Sequence, residues 1–381
     1  MEETYKNIDN VGSNNTTYKP FIRDLPTPHE LYNKLNEYVI GQELAKKKLC
    51  TAFANHLRRI AINSNIEGCG DEILDGIEIE KSNVIMMGGT GTGKTYLIKT
   101  LAKMINVPCY ICDCTKLTES GYVGEDVENA LVGLLRESEY CVDLAQIGIV
   151  VLDEIDKLAC RTAGVSLTRD VGGEGVQQGL LKIIEGGLVG VPPLGGRKHP
   201  EQELIYMDTT NILFIGLGAF SGMGDIIRRR LNTKKIGFTH MNIDKDEECG
   251  NILKYAGMED LRRFGLIPEF VGRFPIISYT NELTMEDMIN IMKRAKNSII
   301  NQYRKMLRYH NIKLSFTEGA YDEIAKYTLL LGTGARGLRS VIEMVLSDIL
   351  FDLMYHSTPQ DIIIDEDYVK RVIFPIYQKV A

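Results

Sequence analysis

The chain has 381 residues, 44% of them hydrophobic, which suits two or three globular domains with cores of their own. A net charge of −7 and a pI near 5.6 count against a protein that tracks a nucleic-acid backbone. No apolar run approaches the roughly 18 residues of a membrane span, and eight cysteines without a secretion signal read as reduced thiols.

Residues 1–24 are polar and rich in Asn and Thr, and read as a disordered arm. They lack a signal-peptide core, while Glu2, Glu3 and Asp9 disfavour an Arg-rich transit peptide. Order begins at Thr27, which with Glu30 forms a capping box around Pro28 in the first helical position. Leu31, Leu35 and Tyr38 follow at helical spacing. A second helix is predicted from about Gln42 to Ile60, with Ala45, Leu49, Ala52, Phe53, His56 and Ile60 on one face. His56 belongs to that packed face rather than to a catalytic group. Residues 63–80 read as an exposed connection.

The pattern then alternates: strand 84–87, helix 94–105, strand 108–113, helix 125–139, strand 148–152, helix 175–185, strand 212–216. Such alternation with apolar strands predicts an α/β fold, a parallel sheet covered on both faces with ligand at the carboxyl ends of its strands. Beyond about residue 282 the pattern changes. A long helix is expected from near Thr284, then a strand at 312–316, helices at 318–330 and 336–354, and a strand at Ile362–Ile364. The expected division is an arm at 1–24, a large domain at 25–281 and a smaller, mostly helical domain at 282–381.

Residues Gly88, Gly89, Thr90, Gly91, Thr92, Gly93, Lys94 and Thr95 fit Gly-x4-Gly-Lys-Thr, between the apolar run Val84–Met87 and a helical pattern. In that setting the glycines let the backbone curl its N–H groups toward phosphate oxygens, and the helix adds its positive end. Lys94 would reach the β- and γ-phosphates and the Thr95 hydroxyl would bind Mg²⁺. Binding of a nucleoside triphosphate follows.

The run Gly148–Leu152 ends in Asp153 and Glu154. Asp153 at a strand tip is placed to hold Mg²⁺, and Glu154 to polarise the attacking water. Strands often end in solvated carboxylates, so alone the pair says little. Its distance along the chain from Lys94 suits a neighbouring strand of one sheet, and together the two motifs point to an ATPase. The Cys109/Cys112 pair has metal-ligand spacing, but on a strand the two would face opposite sides. No second Cys or His pair completes a zinc site.

With these elements placed, the chain closely resembles the ClpX branch of the AAA+ ATPases, the unfoldases that feed the ClpP peptidase. The resemblance runs from about Leu25 to the end of the small domain. Leu25–Glu30 with Tyr38–Gln42 looks like the family's N-terminal nucleotide cradle, which implies that Val39 and Ile40 touch adenine; a plain turn between helices is the alternative. Gly121–Gly124 matches the first pore loop, with Tyr122 and Val123 held between glycines; a turn whose Tyr122 folds back is the local alternative. Thr168–Gln177, including Arg169, resembles the second pore loop. Arg197, Lys198 and His199 resemble the cationic loop at the pore entrance, though alone they are a basic surface turn. Six copies would make a collar attracting acidic or carboxylate-ended peptides.

Ile236, Gly237 and Phe238, in the polar stretch 232–250, match the tripeptide with which this family docks onto ClpP. Local loop packing is the alternative. Gly265–Pro275 resembles the segment carrying an arginine finger at Arg273, supplied to the neighbouring subunit, and Gly334–Arg339 resembles the sensor-2 helix start, with Arg336 reaching the nucleotide. Three departures stand out. The family's four-cysteine zinc domain is missing before Cys50, so no zinc is expected. Gly89 stands where the family commonly has Pro, and Gly216–Phe220 offers no polar sensor-1 side chain.

The resemblance implies an ATP- and Mg²⁺-dependent homohexameric protein unfoldase and translocase serving a ClpP-type peptidase. The expected location is the cytoplasm, with the mitochondrial matrix as alternative, and no nucleic-acid or membrane partner. A free-standing remodelling chaperone is one rival. An HslU-type unfoldase is another, but it normally carries a large inserted domain, and too few residues separate Thr95 from Gly148 to hold one. A DNA-remodelling motor is disfavoured by the acidic balance and the apolar Ile236–Phe238 loop. A non-enzymatic scaffold sits badly with intact Lys94, Asp153 and Glu154.

Overall fold

The computed structural model describes residues 25–63, 77–118, 125–159, 173–193, 203–233, 252–353 and 360–377. Helix α1 spans Pro28–Asn36 and starts on the reciprocal Thr27–Glu30 box, with Leu31 and Leu35 buried. Helix α2 spans Glu43–Asn63 and buries the predicted face. Then come β1 (Val84–Met87), α3 (Lys94–Ile105), β2 (Cys109–Asp113), α4 (Asn129–Glu137), α5 (Val142–Gln146), β3 (Ile149–Asp153) and α6 (Gly173–Glu185). A hairpin of β4 (Leu188–Val191) and β5 (Ile205–Asp208) precedes β6 (Leu213–Gly218). Helices α7 (Met223–Thr233), α8 (Met258–Phe264) and α9 (Pro268–Gly272) lead to β7 (Ile276–Tyr279).

Five strands form one parallel sheet in the order β2-β3-β6-β1-β7. Alternate residues of each strand point to opposite faces. Thus Ile85, Met87, Val150, Leu152 and Phe214 join one core with α4 and α6, while Val84, Met86, Ile149, Val151 and Leu213 join a second with α1, α2 and α3. Every residue of β1 is buried. A strand covered on both sides must be apolar throughout, which is why Val84–Met87 shows no alternation. Cys112 packs in the first core and Cys109 against the second, on opposite faces as the strand reading requires.

From Leu283 onward the chain builds a third core of its own. It comprises α10 (Met285–Lys293), α11 (Ile299–Arg308), β8 (Ile312–Phe316), α12 (Glu318–Leu330), α13 (Ala335–Leu353), β9 (Gln360–Ile364) and α14 (Glu366–Tyr377), with β8 and β9 paired in parallel. The single long helix expected from Thr284 is instead two. Thr284 caps the first, and Ser298 caps the second by accepting from the Asn301 amide. The helix expected from residue 125 begins at Asn129, because Glu125 is drawn into a bridge with Leu117. The hairpin β4–β5 and strand β7 were not expected from sequence. No helix among the described residues is long and apolar enough to cross a membrane.

Candidate active site

At the carboxyl end of β1 the chain turns through Gly88, Gly91 and Gly93, all with positive φ (151°, 77° and 93°), into α3. Side chains rarely adopt such angles, so the Gly spacing read from sequence is what this turn requires. A Cβ on Gly88 would collide with the Thr280 hydroxyl, and one on Gly91 with the Thr333 carbonyl. The loop thus fits tightly between the hinge after β7 and the start of α13. The amide groups at the start of α3 have no partners within the helix, which makes its N-terminus a phosphate-binding feature.

Lys94 folds over the loop, its Nζ donating to the carbonyls of Gly88 at 2.6 Å and Gly89 at 2.8 Å. Burial lowers the Lys94 ammonium below its ordinary value; Asp153 opposes that shift, Arg336 adds to it and Asp156 opposes it. Asp153, Arg336 and Asp156 therefore all lie close enough to Lys94 to act on its charge. Thr95 Oγ1 lies 3.5 Å from Asp153 Oδ2. The other Asp153 oxygen accepts the amide of Glu154 at 3.0 Å. A hydroxyl and a carboxylate side by side, with a glycine cradle for phosphates, are a donor set suited to Mg²⁺ bound with a nucleotide.

Glu154 is exposed and held at φ 58°, ψ 34°, the left-handed region that a side chain enters only at a cost. The turn swings its carboxylate out of the strand line directly after Asp153. Two residues on, Asp156 is buried and accepts the Phe220 amide at 3.2 Å, so the end of β6 is tied to the same acidic turn.

The small domain closes the cleft. Ala335 donates its amide to the Gly91 carbonyl at 2.9 Å, and the next residue, Arg336, is exposed near Lys94. On the other side, Gln42 pairs with the backbone of Asn281 through both side-chain atoms, at 2.8 and 2.7 Å. The Val39–Gln42 segment therefore lies at the hinge. Val39 packs into the second core and Ile40 is half-buried. Buried Lys46 fixes this corner by donating to Asn36, Glu43 and the Val39 carbonyl.

Arg273 stands apart from this cluster, at the amino end of β1. Its guanidinium pairs with Glu185 at 2.6 Å, and its carbonyl accepts Asn83 Nδ2 at 2.8 Å. Tyr122, Val123, Arg169, Arg197, Lys198, His199, Ile236, Gly237 and Phe238 lie outside the described residues. His56 is buried and hydrogen-bonded through Nε2 to the Ile147 carbonyl at 3.2 Å. Burial, with the Arg59 charge beside it, takes its pKa down to about 3.

Three participants escaped the sequence reading, Thr280, Asn83 and Glu185, and a fourth, Gln177, was read only as the end of the second pore-loop segment, whereas it lies inside α6. Gln177 is fully buried and links the Leu158 carbonyl to the Ile267 amide, so it joins the acidic turn's flank to the segment leading to Arg273. Only Asn83 left a trace in sequence, as a polar residue abutting an apolar strand.

A five-stranded parallel sheet with this glycine loop, the Asp153–Glu154 turn and a separate helical lid defines a nucleoside-triphosphatase of the AAA class. In agreement, the family model described as "AAA domain (Cdc48 subfamily)" matches residues 79–277, and "C-terminal, D2-small domain, of ClpB protein" matches residues 283–363. The protein is an ATPase. Three curated relatives carry the name "ATP-dependent Clp protease ATP-binding subunit ClpX". The chain is 49% identical to the one from Borrelia duttonii over 91% of its own length and 79% of the relative's. It is 46% identical to that of Porphyromonas gingivalis (91% and 82%) and 45% to that of Bacteroides thetaiotaomicron (92% and 82%). The chain belongs to the ClpX family.

Proposed function

We propose that this protein is an ATP-driven unfoldase and translocase that works as a homohexamer and delivers unfolded polypeptides to a ClpP-type peptidase in the cytoplasm. The observation that carries the reading is the cleft between large and small domains, where Lys94, Thr95, Asp153 and Arg336 meet beside the exposed Glu154. Family membership supports it, since the relatives' name pairs an ATP-binding subunit with a protease.

In this reading the loop amides and Lys94 bind the phosphates, and Glu154 takes a proton from the attacking water. Thr95 and Asp153 would hold Mg²⁺, which neutralises phosphate charge when bound. Arg273 reaches the nucleotide of the adjacent subunit, in keeping with its position far from the chain's own phosphate loop. Arg336, on the first turn of α13, carries the nucleotide state into the small domain. Tyr122 and Val123 grip the substrate, Arg169, Arg197, Lys198 and His199 line its path, and Ile236–Phe238 dock the peptidase. An aromatic grip is sequence-tolerant, as a general translocase needs, and unfolding a domain against roughly 5–15 kcal/mol calls for repeated ATP turnovers.

The decisive experiment is ATP-dependent degradation of a tagged, folded protein with and without a ClpP-type peptidase. Degradation that needs ATP, this chain and the peptidase is the expected result. Unfolding with no gain on adding the peptidase would leave a free-standing chaperone. ATPase activity stimulated by DNA and not by protein would overturn the reading.

A further inference from the structure

Thr280 is the first residue beyond β7, where the chain leaves the sheet for the small domain. Its amide donates to the Met87 carbonyl at 2.8 Å, carrying the β1–β7 pairing one step further, to the brink of the phosphate loop. The side chain is 1% exposed and turns into that loop. Its Oγ1 lies 2.7 Å from Thr92 Oγ1 and occupies the space a side chain on Gly88 would need.

The direction of this contact follows from proton counting. Thr92 Oγ1 is 2.9 Å from the Gly89 carbonyl, whereas Thr280 Oγ1 is 3.4 Å from the Met87 carbonyl. Each hydroxyl has one proton to give. The shorter pair of bonds has Thr280 donating to Thr92 and Thr92 donating to Gly89. Lys94 Nζ donates to that same Gly89 carbonyl at 2.8 Å. A single hydrogen-bonded chain therefore runs from the hinge, through Thr92, to the carbonyl that also receives the phosphate-binding lysine.

We infer that Thr280 is a positioning residue for the nucleotide: through Thr92 its hydroxyl holds the glycine loop in its binding shape and ties that shape to the hinge. This rests on the reading of Gly88–Thr95 as the phosphate loop. Glycine-rich backbone has many conformations to lose on binding, and a loop already pinned loses fewer. Here the pin falls on Gly89, whose φ is not in the left-handed range and whose Cβ position would meet only the Thr92 methyl at 3.7 Å.

The test compares full-length Thr280→Val, Thr280→Ser, Thr92→Val and the double valine variant. Nucleotide affinity is read with a fluorescent ADP analogue, beside kcat and KM for ATP and a thermal melt. Valine at 280 keeps the shape against Gly88 and removes the hydroxyl that reaches Thr92, so affinity should fall and KM rise by roughly two- to tenfold. For Thr280→Val, kcat should stay within about twofold, since no group that touches the reacting phosphate is lost. Serine at 280 should restore parental affinity, and the double variant should bind no more weakly than the weaker single one. Parental affinity in a folded Thr280→Val, equal weakness of the Ser and Val variants, or fully additive losses would each overturn the inference. Lys94→Ala separates the two levels. Nucleotide binding lost in Lys94→Ala but intact in Thr280→Val refutes the inference alone, whereas binding retained in Lys94→Ala refutes the phosphate-loop reading beneath it.

Discussion

Ala335 and Gly91 are joined by a 2.9 Å hydrogen bond, so the first residue of a small-domain helix is bonded to the middle of the glycine loop Gly88–Thr95. The two domains meet at this glycine without an intervening side chain. Gly91 has φ 77°, and Gly334 across the contact has φ 60°.

Gly91→Ala is expected to be among the most damaging small substitutions in the protein. The methyl group would both strain a left-handed backbone and strike the Thr333 carbonyl. Nucleotide binding should weaken at least tenfold while the large domain stays folded, which binding titration alongside a thermal melt would check. Parental affinity would mean that the domains separate here at little cost.

Glu154→Gln should bind ATP with close to parental affinity and lose most of its hydrolysis, on the order of a hundredfold or more for a lost general base. The Thr95–Asp153 pair and the Lys94 contacts involve no Glu154 side-chain atom, so phosphate binding survives. Near-normal turnover in a steady-state phosphate-release assay would remove Glu154 from the water-activating role.

Arg273→Ala should abolish hydrolysis in a homogeneous assembly, as should Lys94→Ala. Mixing the two kinds of subunit should restore part of it, because some interfaces then pair an intact loop with an intact arginine. The arginine's pairing with Glu185, away from Lys94, is what makes complementation the expected outcome. Inactive mixtures with confirmed co-assembly would assign Arg273 a structural task.

His56 gives a pH prediction. Its folded pKa is about 3, below the ordinary histidine value of 6.5, so below pH 6.5 the unfolded chain binds a proton that the folded one refuses. The stabilisation is complete above about pH 6.5 and is lost as the pH falls toward 3. His56→Gln can keep a donor to the Ile147 carbonyl without titrating. Between pH 7 and pH 5 the parent should therefore lose about 2 kcal/mol more than the variant, at 1.36 kcal/mol per pH unit over the affected range. Urea midpoints at the two pH values measure this, and parallel losses would show that His56 does not titrate on unfolding.

Where local signals were complete, the sequence was enough. Lys94–Ile105 and Glu318–Leu330 run between the residues predicted for them, one launched by a glycine turn and the other capped by Thr317. The glycine turn after β1 and the Asp153–Glu154 turn after β3 were legible for the same reason, since each is written in consecutive residues. What stayed hidden depends on distant partners. Strand β7 is only four residues long and is stabilised by β1 far back in the chain. Thr280 reads as an ordinary polar residue after a strand until the fold sets it against Thr92. Glu185 carries no mark in sequence, because its importance lies in Arg273, a turn residue just past another helix.

Asn83 has a consequence for how subunits of a ring would communicate. It is buried, grips the carbonyl of Arg273 with one side-chain atom and accepts the Phe214 amide with the other, at 3.0 Å. One residue later β1 begins, and the far end of that strand is the phosphate loop. If Arg273 is drawn toward a neighbour's nucleotide, the load falls on the root of the rod that carries this subunit's own nucleotide. A short stiff strand passes on displacement with little slack, so a pull on Arg273 would be felt at the glycine loop on the strand's far end.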